Sequence, residues 1–217
     1  MSSFSIFNFQ FSIIMKRRST KQVKVGEIYI GSEYPVLVQS MLNTDTMNTE
    51  ACVEQAIRII EAGGKLVRIT APGVKEAKNL ENIHAELRRR GYTTPLSADI
   101  HFNPEAAIEA AKHVEKVRIN PGNFVDKRAT FKTLTYTDEE YAAELERLRE
   151  KFTAFLDVCR EYGTAVRIGT NHGSLSDRIM SRYGNTPAGM VEATMEYLRV
   201  CRDEKFDDVV ISLKSSD

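Results

Sequence analysis

Cysteine is scarce in this sequence, and the three that occur lie far apart. Cys52, Cys159 and Cys201 form no C-x-x-C pair and no Cys/His spacing typical of a zinc site. An odd number of distant cysteines argues against a disulfide-stapled secreted protein and favours a reduced, cytosolic one. Because free cysteine is usually a small buried side chain, we expect each to pack at a separate helix interface rather than to act as a ligand or nucleophile.

An excess of positive charge is also missing, since 30 Lys and Arg balance 30 Asp and Glu. Without a global basic field, a nucleic-acid partner is not expected. No apolar run reaches the roughly 18 to 20 residues that span a bilayer, so a membrane partner is not expected either. The apolar stretch over 1–14 lacks the basic region and cleavage site of a secretory signal. We expect residues 1–15 to be a disordered extension or a start assigned too early.

Glycine motifs for nucleotide binding are missing as well. Neither G-x-G-x-x-G nor G-x-x-x-x-G-K-S/T occurs, so nucleotide binding through those loops is not supported. With 42% hydrophobic and 28% charged residues, the chain still has the composition of a globular protein with a sizeable core.

Three strand-like tetrapeptides each hold an arginine between apolar residues. They are Val67-Arg68-Ile69-Thr70, Val117-Arg118-Ile119-Asn120 and Val166-Arg167-Ile168-Gly169. Successive side chains of a strand point to opposite faces, so each arginine lies opposite its Val and Ile. Since guanidinium groups are almost never buried unpaired, arginines directed from several strands into one space predict a shared anion.

The same alternation adds polar residues from two further strands. Asp99 and His101 alternate with apolar residues over 96–101, and Ser212 and Lys214 do so over 209–214. Four cations then face one acid, and a phosphate or diphosphate would balance the surplus through bidentate hydrogen bonds. The alternative is that the arginines pair with helix carboxylates across an ordinary interface.

Strands and helices alternate along the chain after a hairpin-like stretch over 22–30 that turns at Gly31-Ser32. The predicted strands cover 36–41, 66–70, 96–101, 117–120, 165–169 and 208–213. The predicted helices cover 49–62, 74–90, 104–112 and 187–202, together with a long helix that begins at the capping box over 137–140.

This alternation predicts an α/β fold, either a doubly wound sheet or a (β/α)8 TIM-type barrel. The barrel is favoured because polar residues stand at the carboxyl ends of most strands. A complete barrel has eight strands in about 250 residues. Here six strands are followed by the end of the sequence at Asp217. We therefore expect a barrel domain over 16–217 that is truncated after about six strands, as part of a longer protein.

The motifs at these positions resemble those of the 4-hydroxy-3-methylbut-2-enyl diphosphate synthase family. The matching segments, in the family's order, are Val38-Gln39-Ser40-Met41, Asn43-Thr44, Val67-Arg68-Ile69-Thr70, Ala98-Asp99-Ile100-His101-Phe102, Val117-Arg118-Ile119-Asn120-Pro121-Gly122-Asn123, Arg167-Ile168-Gly169-Thr170-Asn171-His172-Gly173-Ser174-Leu175 and Ile211-Ser212-Leu213-Lys214-Ser215-Ser216-Asp217. They spread from about residue 23 to the end of the sequence.

The resemblance implies an oxidoreductase of non-mevalonate isoprenoid (terpenoid) biosynthesis. Its barrel binds 2-C-methyl-D-erythritol 2,4-cyclodiphosphate, which is opened reductively to the linear allylic diphosphate with loss of water. Two electrons arrive through a [4Fe-4S] cluster from flavodoxin or ferredoxin. The oligomeric state is left open, a homodimer included.

The resemblance also assigns site residues. Those that look like the diphosphate clamp are Arg68, Arg118, Arg167 and Lys214. Those placed to bond the remaining phosphate oxygens and sugar hydroxyls are Asp99, His101, Asn120, Asn171 and Ser212. Each has an alternative structural role: His101 could stabilise a helix start, and Asn171 and Ser174 could form turns. Gly122, Gly169 and Gly173 could be turn glycines or could allow phosphate to approach the backbone.

The sequence departs from the family at the cluster. There the cluster is held by cysteines and a glutamate in a separate C-terminal domain, and no such motif occurs here. We expect this chain to lack the redox centre and to be inactive alone. The segment over 123–137 resembles the larger, plant-like form, in which a further domain is inserted. Two other functions stay open: a pterin- or phosphosugar-binding transferase or aldolase with Lys214 as nucleophile, and a domain that binds the ligand without turnover.

Overall fold

The computed structural model describes residues 18–126 and 135–215. The expectation for residues 1–15 lies outside the described residues, as does part of the segment that resembles the plant-like form. No helix within the two described ranges is both long enough and apolar enough to cross a membrane.

The described residues form eight strands and seven α-helices. The strands are β1 Val23–Val25, β2 Ile28–Ile30, β3 Gln39–Met41, β4 Leu66–Thr70, β5 Leu96–Asp99, β6 Lys116–Ile119, β7 Ala165–Asn171 and β8 Val209–Lys214. The helices are α1 Thr49–Glu61, α2 Val74–Arg89, α3 Pro104–Ala111, α4 Pro121–Phe124, α5 Asp138–Tyr162, α6 Asp177–Tyr183 and α7 Pro187–Asp203, with a 3₁₀ turn at His172–Ser174.

The main sheet contains six parallel strands in sequential order, from β3 to β8. Each strand pairs with the next one along the chain, with no reversal of order. A doubly wound sheet reverses its strand order at a switch point, whereas a barrel does not. The α/β fold class and the six-stranded part of a TIM-type barrel are therefore confirmed.

One face of this sheet is covered by helices. Val67, Ile69, Val117, Ile119 and Val166 are at most 1% exposed and pack in one core with apolar residues of the helices. The opposite face, called the lumen face below, carries the residues that alternate with them. This division follows from the two-residue period of a strand.

Local capping signals fix several helix boundaries. Thr137 and Glu140 form the predicted capping box at the start of α5, and Gly163 ends that helix in a left-handed conformation at φ 69°. Asn103 caps α3 by accepting hydrogen bonds from two backbone N–H groups. The cap of α3 is therefore Asn103, and the structural role suggested for His101 is wrong.

The hairpin closes the amino-terminal end of the strands. β1 and β2 pair antiparallel, and Val23 and Val25 pack on the first residues of β4 and β7, Leu66 and Ala165. A turn does occur at Gly31-Ser32, where Tyr34 N donates to the carbonyl oxygen of Gly31 at 3.2 Å. The strands β1 and β2 are joined earlier, at residues 26–27, where Gly26 has a φ of 58° that favours glycine.

Two of the cysteines share an interface, contrary to expectation. Cys159 on α5 and Cys201 on α7 are close enough that a negative charge on Cys201 would raise the pKa of Cys159, and both lie in the main core, as does Cys52. Burial raises the pKa of all three thiols, that of Cys201 to about 12. Protonated, buried thiols of this kind are inert packing groups.

Candidate anion-binding site

Three arginines reach the lumen face from three strands. Arg68 lies on β4, Arg118 on β6 and Arg167 on β7. Arg118 is 6% exposed, and the other two are half-buried. Strand pairing places Asp99 beside Arg118 and Arg118 beside Arg167. Arg68, Asp99, His101, Arg118 and Arg167 are called the lumen cluster below.

Asp99 is the acid at the centre of this cluster. Its Oδ1 lies 3.0 Å from Arg118 Nη1 and 3.4 Å from His101 Nε2, and its Oδ2 lies 3.5 Å from Arg68 Nε. Burial alone would raise the pKa of Asp99. The hydrogen bond with His101 and the charges of Arg118 and Arg68 outweigh burial and hold the pKa at about 2. Asp99 is therefore an anion at neutral pH, with its charge shared among three partners.

Arg118 is fixed by contacts on two sides. Its Nη2 donates to the carbonyl oxygen of Gly169 at 2.8 Å, while its Nη1 faces Asp99 and lies 3.1 Å from His101 Nε2. A Cβ on Gly169 would lie 2.5 Å from Arg118 Nε. Gly169 therefore lies inside a strand, where it makes room for the guanidinium, and its role as a turn glycine is excluded.

Arg167 has no carboxylate partner within the two described ranges. Its Nε donates to Ser212 Oγ on β8 at 3.0 Å. Burial, followed by the charges of Arg68 and Arg118, lowers the pKa of Arg167 from its ordinary value, although Asp99 acts in the opposite direction. Positive charge thus exceeds negative charge on the lumen face, which is the condition under which an anion binds.

Two predicted site residues lie at the carboxyl-terminal edge of the sheet, called the rim below. Asn171 and Lys214 are register partners at the carboxyl ends of β7 and β8. Lys214 is exposed, and among the described residues it forms no ion pair. Among the described residues, no ion pair links Lys214 to the lumen cluster.

Asn120 is buried and forms hydrogen bonds that hold neighbouring segments together. It is 1% exposed, its Nδ2 donates to Ser174 Oγ at 2.9 Å, and its Oδ1 accepts from Gly122 N at 3.4 Å. A Cβ on Gly122 would lie 1.5 Å from the carbonyl oxygen of Ser174, whereas one on Gly173 would meet nothing within 4 Å. Asn120 and Gly122 hold the start of α4 against the 3₁₀ turn.

Lys116 is a lumen residue that the sequence reasoning missed. It begins β6, is 3% exposed, and its Nζ donates to Gln39 Oε1 at 3.2 Å. Burial, followed by the charges of Arg167 and Arg68, lowers the pKa of Lys116 to about 7. Strand alternation would have found it, because Lys116 and Arg118 are two residues apart and share a face.

A buried ionic network behind the lumen was also missed. Arg178 on α6 is 2% exposed; its Nη1 donates to Glu196 Oε1 at 2.5 Å and its Nη2 to Asp126 Oδ2 at 2.9 Å. Tyr141 Oη donates to the same Glu196 oxygen at 2.5 Å. The network ties α5, α6 and α7 to Asp126, which lies two residues after the end of α4. The sequence feature that could have indicated this network is Glu196, a glutamate among the apolar residues of α7.

Iron–sulfur ligation does not fit the residues of this chain. All three cysteines lie in the described ranges, and all are buried helix residues with raised pKa values. Among the described residues, no group of three or more His, Cys, Asp and Glu side chains is arranged to hold a metal ion. A cluster needs four converging thiolates or close substitutes.

Comparison with solved structures supports the fold alone. A phospho-2-dehydro-3-deoxyheptonate aldolase from Thermotoga maritima superposes with a TM-score of 0.52 at 12% identity, covering 92% of this chain and 48% of that chain. A truncated form of 3-deoxy-D-arabino-heptulosonate 7-phosphate synthase from the same organism also gives 0.52, at 13% identity over 92% of this chain and 60% of that one.

Comparison with curated proteins is closer. The relative from Bacteroides fragilis, named 4-hydroxy-3-methylbut-2-en-1-yl diphosphate synthase (flavodoxin), is 62% identical over 200 residues, which is 92% of this chain and 32% of the relative. A relative of the same name from Protochlamydia amoebophila is 52% identical over 93% of this chain and 31% of its own length. This chain spans about a third of the length of the curated relatives it matches.

The match to a family model covers nearly the whole chain. The model described as the GcpE TIM-barrel domain matches residues 20–217. The family resemblance drawn from the motifs is thereby confirmed, and the alternative of a pterin- or phosphosugar-binding transferase or aldolase is not favoured. The chain belongs to the GcpE TIM-barrel family, and the curated relatives described above are named 4-hydroxy-3-methylbut-2-en-1-yl diphosphate synthases.

Proposed function

We propose that this chain is the substrate-binding barrel of an enzyme that opens 2-C-methyl-D-erythritol 2,4-cyclodiphosphate reductively. The product is (E)-4-hydroxy-3-methylbut-2-enyl diphosphate, the compound for which the relatives are named. The observation that carries the proposal is the surplus of positive charge on the lumen face, where Asp99 pairs with Arg68 and Arg118 while Arg167 has no carboxylate partner among the described residues.

The diphosphate is held in this proposal by the arginines of the lumen cluster. Arg167 is the freest of them, because its Nη groups have no partner among the described residues and can form a bidentate pair with phosphate. Asp99 orients Arg68 and Arg118 through its two oxygens, and Ser212 orients Arg167. These contacts fix the guanidinium groups before the substrate arrives, which lowers the entropy lost on binding.

The rim residues complete the proposed site. Lys214 and Asn171 lie at the carboxyl ends of neighbouring strands, where barrel enzymes bind their substrates. Lys214 contributes a point charge to the outer phosphate, and Asn171 a hydrogen bond. His101, with its side chain one-third exposed beside Asp99, faces the sugar hydroxyls. Asn120 acts indirectly by holding α4 in place.

The redox part of the reaction is proposed to depend on residues outside this chain. A [4Fe-4S] cluster would supply the two electrons, with flavodoxin, named in the relatives, as donor, or ferredoxin. No role in that step is assigned to a residue here. The division into an extension over 1–15 and a cytoplasmic barrel domain over 16–217 remains part of the proposal.

A reconstitution experiment tests this division. After anaerobic treatment of the chain with iron and sulfide, we expect no stoichiometric cluster by EPR and no turnover with dithionite, because three buried cysteines on helices cannot converge. A stoichiometric cluster signal with turnover would contradict the proposal.

Substrate binding is tested at residue 167. The test protein joins this chain to the part of the Bacteroides fragilis relative that it does not match, and is called the full-length protein below. Arg167→Met should weaken cyclodiphosphate binding by roughly ten- to a hundredfold, as expected for the loss of a charge-assisted hydrogen bond. Titration calorimetry measures the change.

Arg199→Met is the matched control, because Arg199 pairs with Glu192 on the helix surface. Removal of Arg167 leaves no described carboxylate unpaired, so the fold should keep its stability. Unchanged affinity in folded Arg167→Met protein would contradict the proposed function.

A further inference from the structure

A second cationic position lies deeper in the lumen than the cluster already described. Lys116 is the first residue of β6, and strand pairing places it in the same row as Arg68 on β4 and Ser97 on β5. Asp99 and Arg118 occupy the next row, towards the carboxyl ends. Lys116 therefore stands at the base of the lumen, near the hairpin, and away from the rim where barrel substrates bind.

The ammonium group of Lys116 forms fewer hydrogen bonds than its three N–H donors allow. Its one hydrogen bond in the described structure goes to a neutral amide oxygen, that of Gln39. The charged groups that lower its pKa are Arg167 on β7 and Arg68 on β4, both positive. Asp99 is already shared by Arg68, Arg118 and His101. No described carboxylate forms an ion pair with Lys116, although buried charges are normally paired.

A second polar group lies next to Lys116 on the neighbouring strand. Ser97 is the register partner of both Arg68 and Lys116, and it is 1% exposed on the lumen face. Its Oγ is buried without a hydrogen-bond partner in the described structure. Buried hydroxyl groups are nearly always bonded, so an orphan hydroxyl beside an amine with unused donors indicates a missing acceptor. An anion accepts from both groups.

Space for a small ligand is present beside the amine. A cavity of about 260 Å³ is lined by Lys116, Gln39 and Leu66, together with residues that connect the hairpin to β3. We propose that Lys116 and Ser97 form a second anion site at the base of the lumen, which takes a small monoanion such as chloride, formate or bicarbonate. This site lies one strand row below Asp99 and Arg118, beside Arg68 of the lumen cluster, and it does not depend on the proposed function.

Occupancy of this site is coupled to the proton on Lys116. In the empty site the pKa of Lys116 is about 7, so the amine is partly neutral at neutral pH. A bound anion favours the ammonium form and raises that pKa. By linkage, the affinity for the anion should be constant well below pH 7 and should fall about tenfold per pH unit between pH 7 and the higher pKa of Lys116 in the occupied site.

Bromide is the probe for the experiment, because its anomalous scattering locates it. Crystals of the full-length protein are soaked in sodium bromide at about pH 6 and at about pH 9, on either side of the Lys116 pKa. We expect an anomalous peak in contact with Lys116 Nζ and Ser97 Oγ at the lower pH and its loss at the higher pH. Lys116→Met should abolish the peak, and Ser97→Ala should reduce it.

Lys75→Met is the matched control, since it removes an exposed lysine from α2, and the peak should persist in that variant. If Lys116→Met fails to fold, the Ser97→Ala crystals and the pH series still decide. The proposal is overturned if the peak is missing at about pH 6, if it is unchanged in Ser97→Ala and across the pH series, or if a carboxylate of the protein occupies the place beside Lys116.

Discussion

Replacing Arg118 with methionine removes the most buried guanidinium group of the lumen cluster. The change deletes hydrogen bonds to Asp99 at 3.0 Å and to the Gly169 carbonyl oxygen at 2.8 Å, and it keeps most of the aliphatic volume. It should therefore affect two quantities, the free energy of unfolding and the affinity for the cyclodiphosphate. These have different causes and can be separated.

The stability effect comes from Asp99. Breaking a buried ion pair costs about 3 to 5 kcal/mol, because one charge is left behind. Asp99 keeps contacts with His101 at 3.4 Å and Arg68 at 3.5 Å, so we expect the lower end, about 3 kcal/mol. The affinity effect comes from the lost phosphate contact, at about 1.5 to 3 kcal/mol, or roughly ten- to a hundredfold.

A double-mutant cycle with Asp99→Asn separates the two effects. In the Asp99→Asn background no carboxylate is left unpaired, so the stability loss from Arg118→Met should shrink by about 1 kcal/mol or more. The affinity loss should persist in both backgrounds, because the arginine acts on the ligand. Urea unfolding and titration calorimetry on the four full-length proteins supply the measurements. A stability loss with unchanged affinity in the folded variant would refute the binding role of Arg118.

Three further predictions follow from single contacts. Gly169→Ala should displace the Arg118 guanidinium and weaken cyclodiphosphate binding at least tenfold by calorimetry, whereas Gly173→Ala, with open space around it, should not. Arg178→Met should lower the free energy of unfolding by about 3 to 5 kcal/mol in urea, because Glu196 and Asp126 lose a buried partner; a loss under about 1 kcal/mol would contradict this. The pKa of Lys116 is about 7 in the folded protein and 10.5 in the unfolded chain, so the unfolded state binds more protons between these values. In low-anion buffer, the free energy of unfolding relative to that of Lys116→Met should therefore rise with pH over this range. A difference in unfolding free energy that does not change with pH would contradict the prediction.

The strands and the faces of their side chains could be predicted because both follow from the alternation of neighbouring residues in the sequence. β4 was predicted with its observed bounds, and the arginine-bearing strands β6 and β7 to within one residue at the start. An apolar residue on either side of an arginine fixes which face the arginine takes. Lys116 was missed because the predicted strand began at Val117, one residue after the observed start of β6. An error of one residue at the start of a strand is enough to leave out a side chain of the lumen face.

Contacts between distant residues could not be predicted in this way. The network of Arg178 joins residues 126, 141 and 196, which come from separate parts of the chain and share no periodic pattern. The position of the hairpin turn was predicted wrongly for another reason. Gly26 and Gly31 are both turn formers, and composition alone does not show which of them joins β1 to β2. The shared interface of Cys159 and Cys201 depends on how α5 and α7 pack, which is likewise non-local.

The most direct test of the diphosphate site is a crystal structure of the full-length protein with 2-C-methyl-D-erythritol 2,4-cyclodiphosphate. The account predicts that the diphosphate lies on the lumen face, with its oxygens accepting hydrogen bonds of about 3 Å from Arg118 and Arg167 and with Asp99 still bound to Arg118. A diphosphate bound elsewhere, with the guanidinium groups of the lumen cluster free of phosphate, would contradict it.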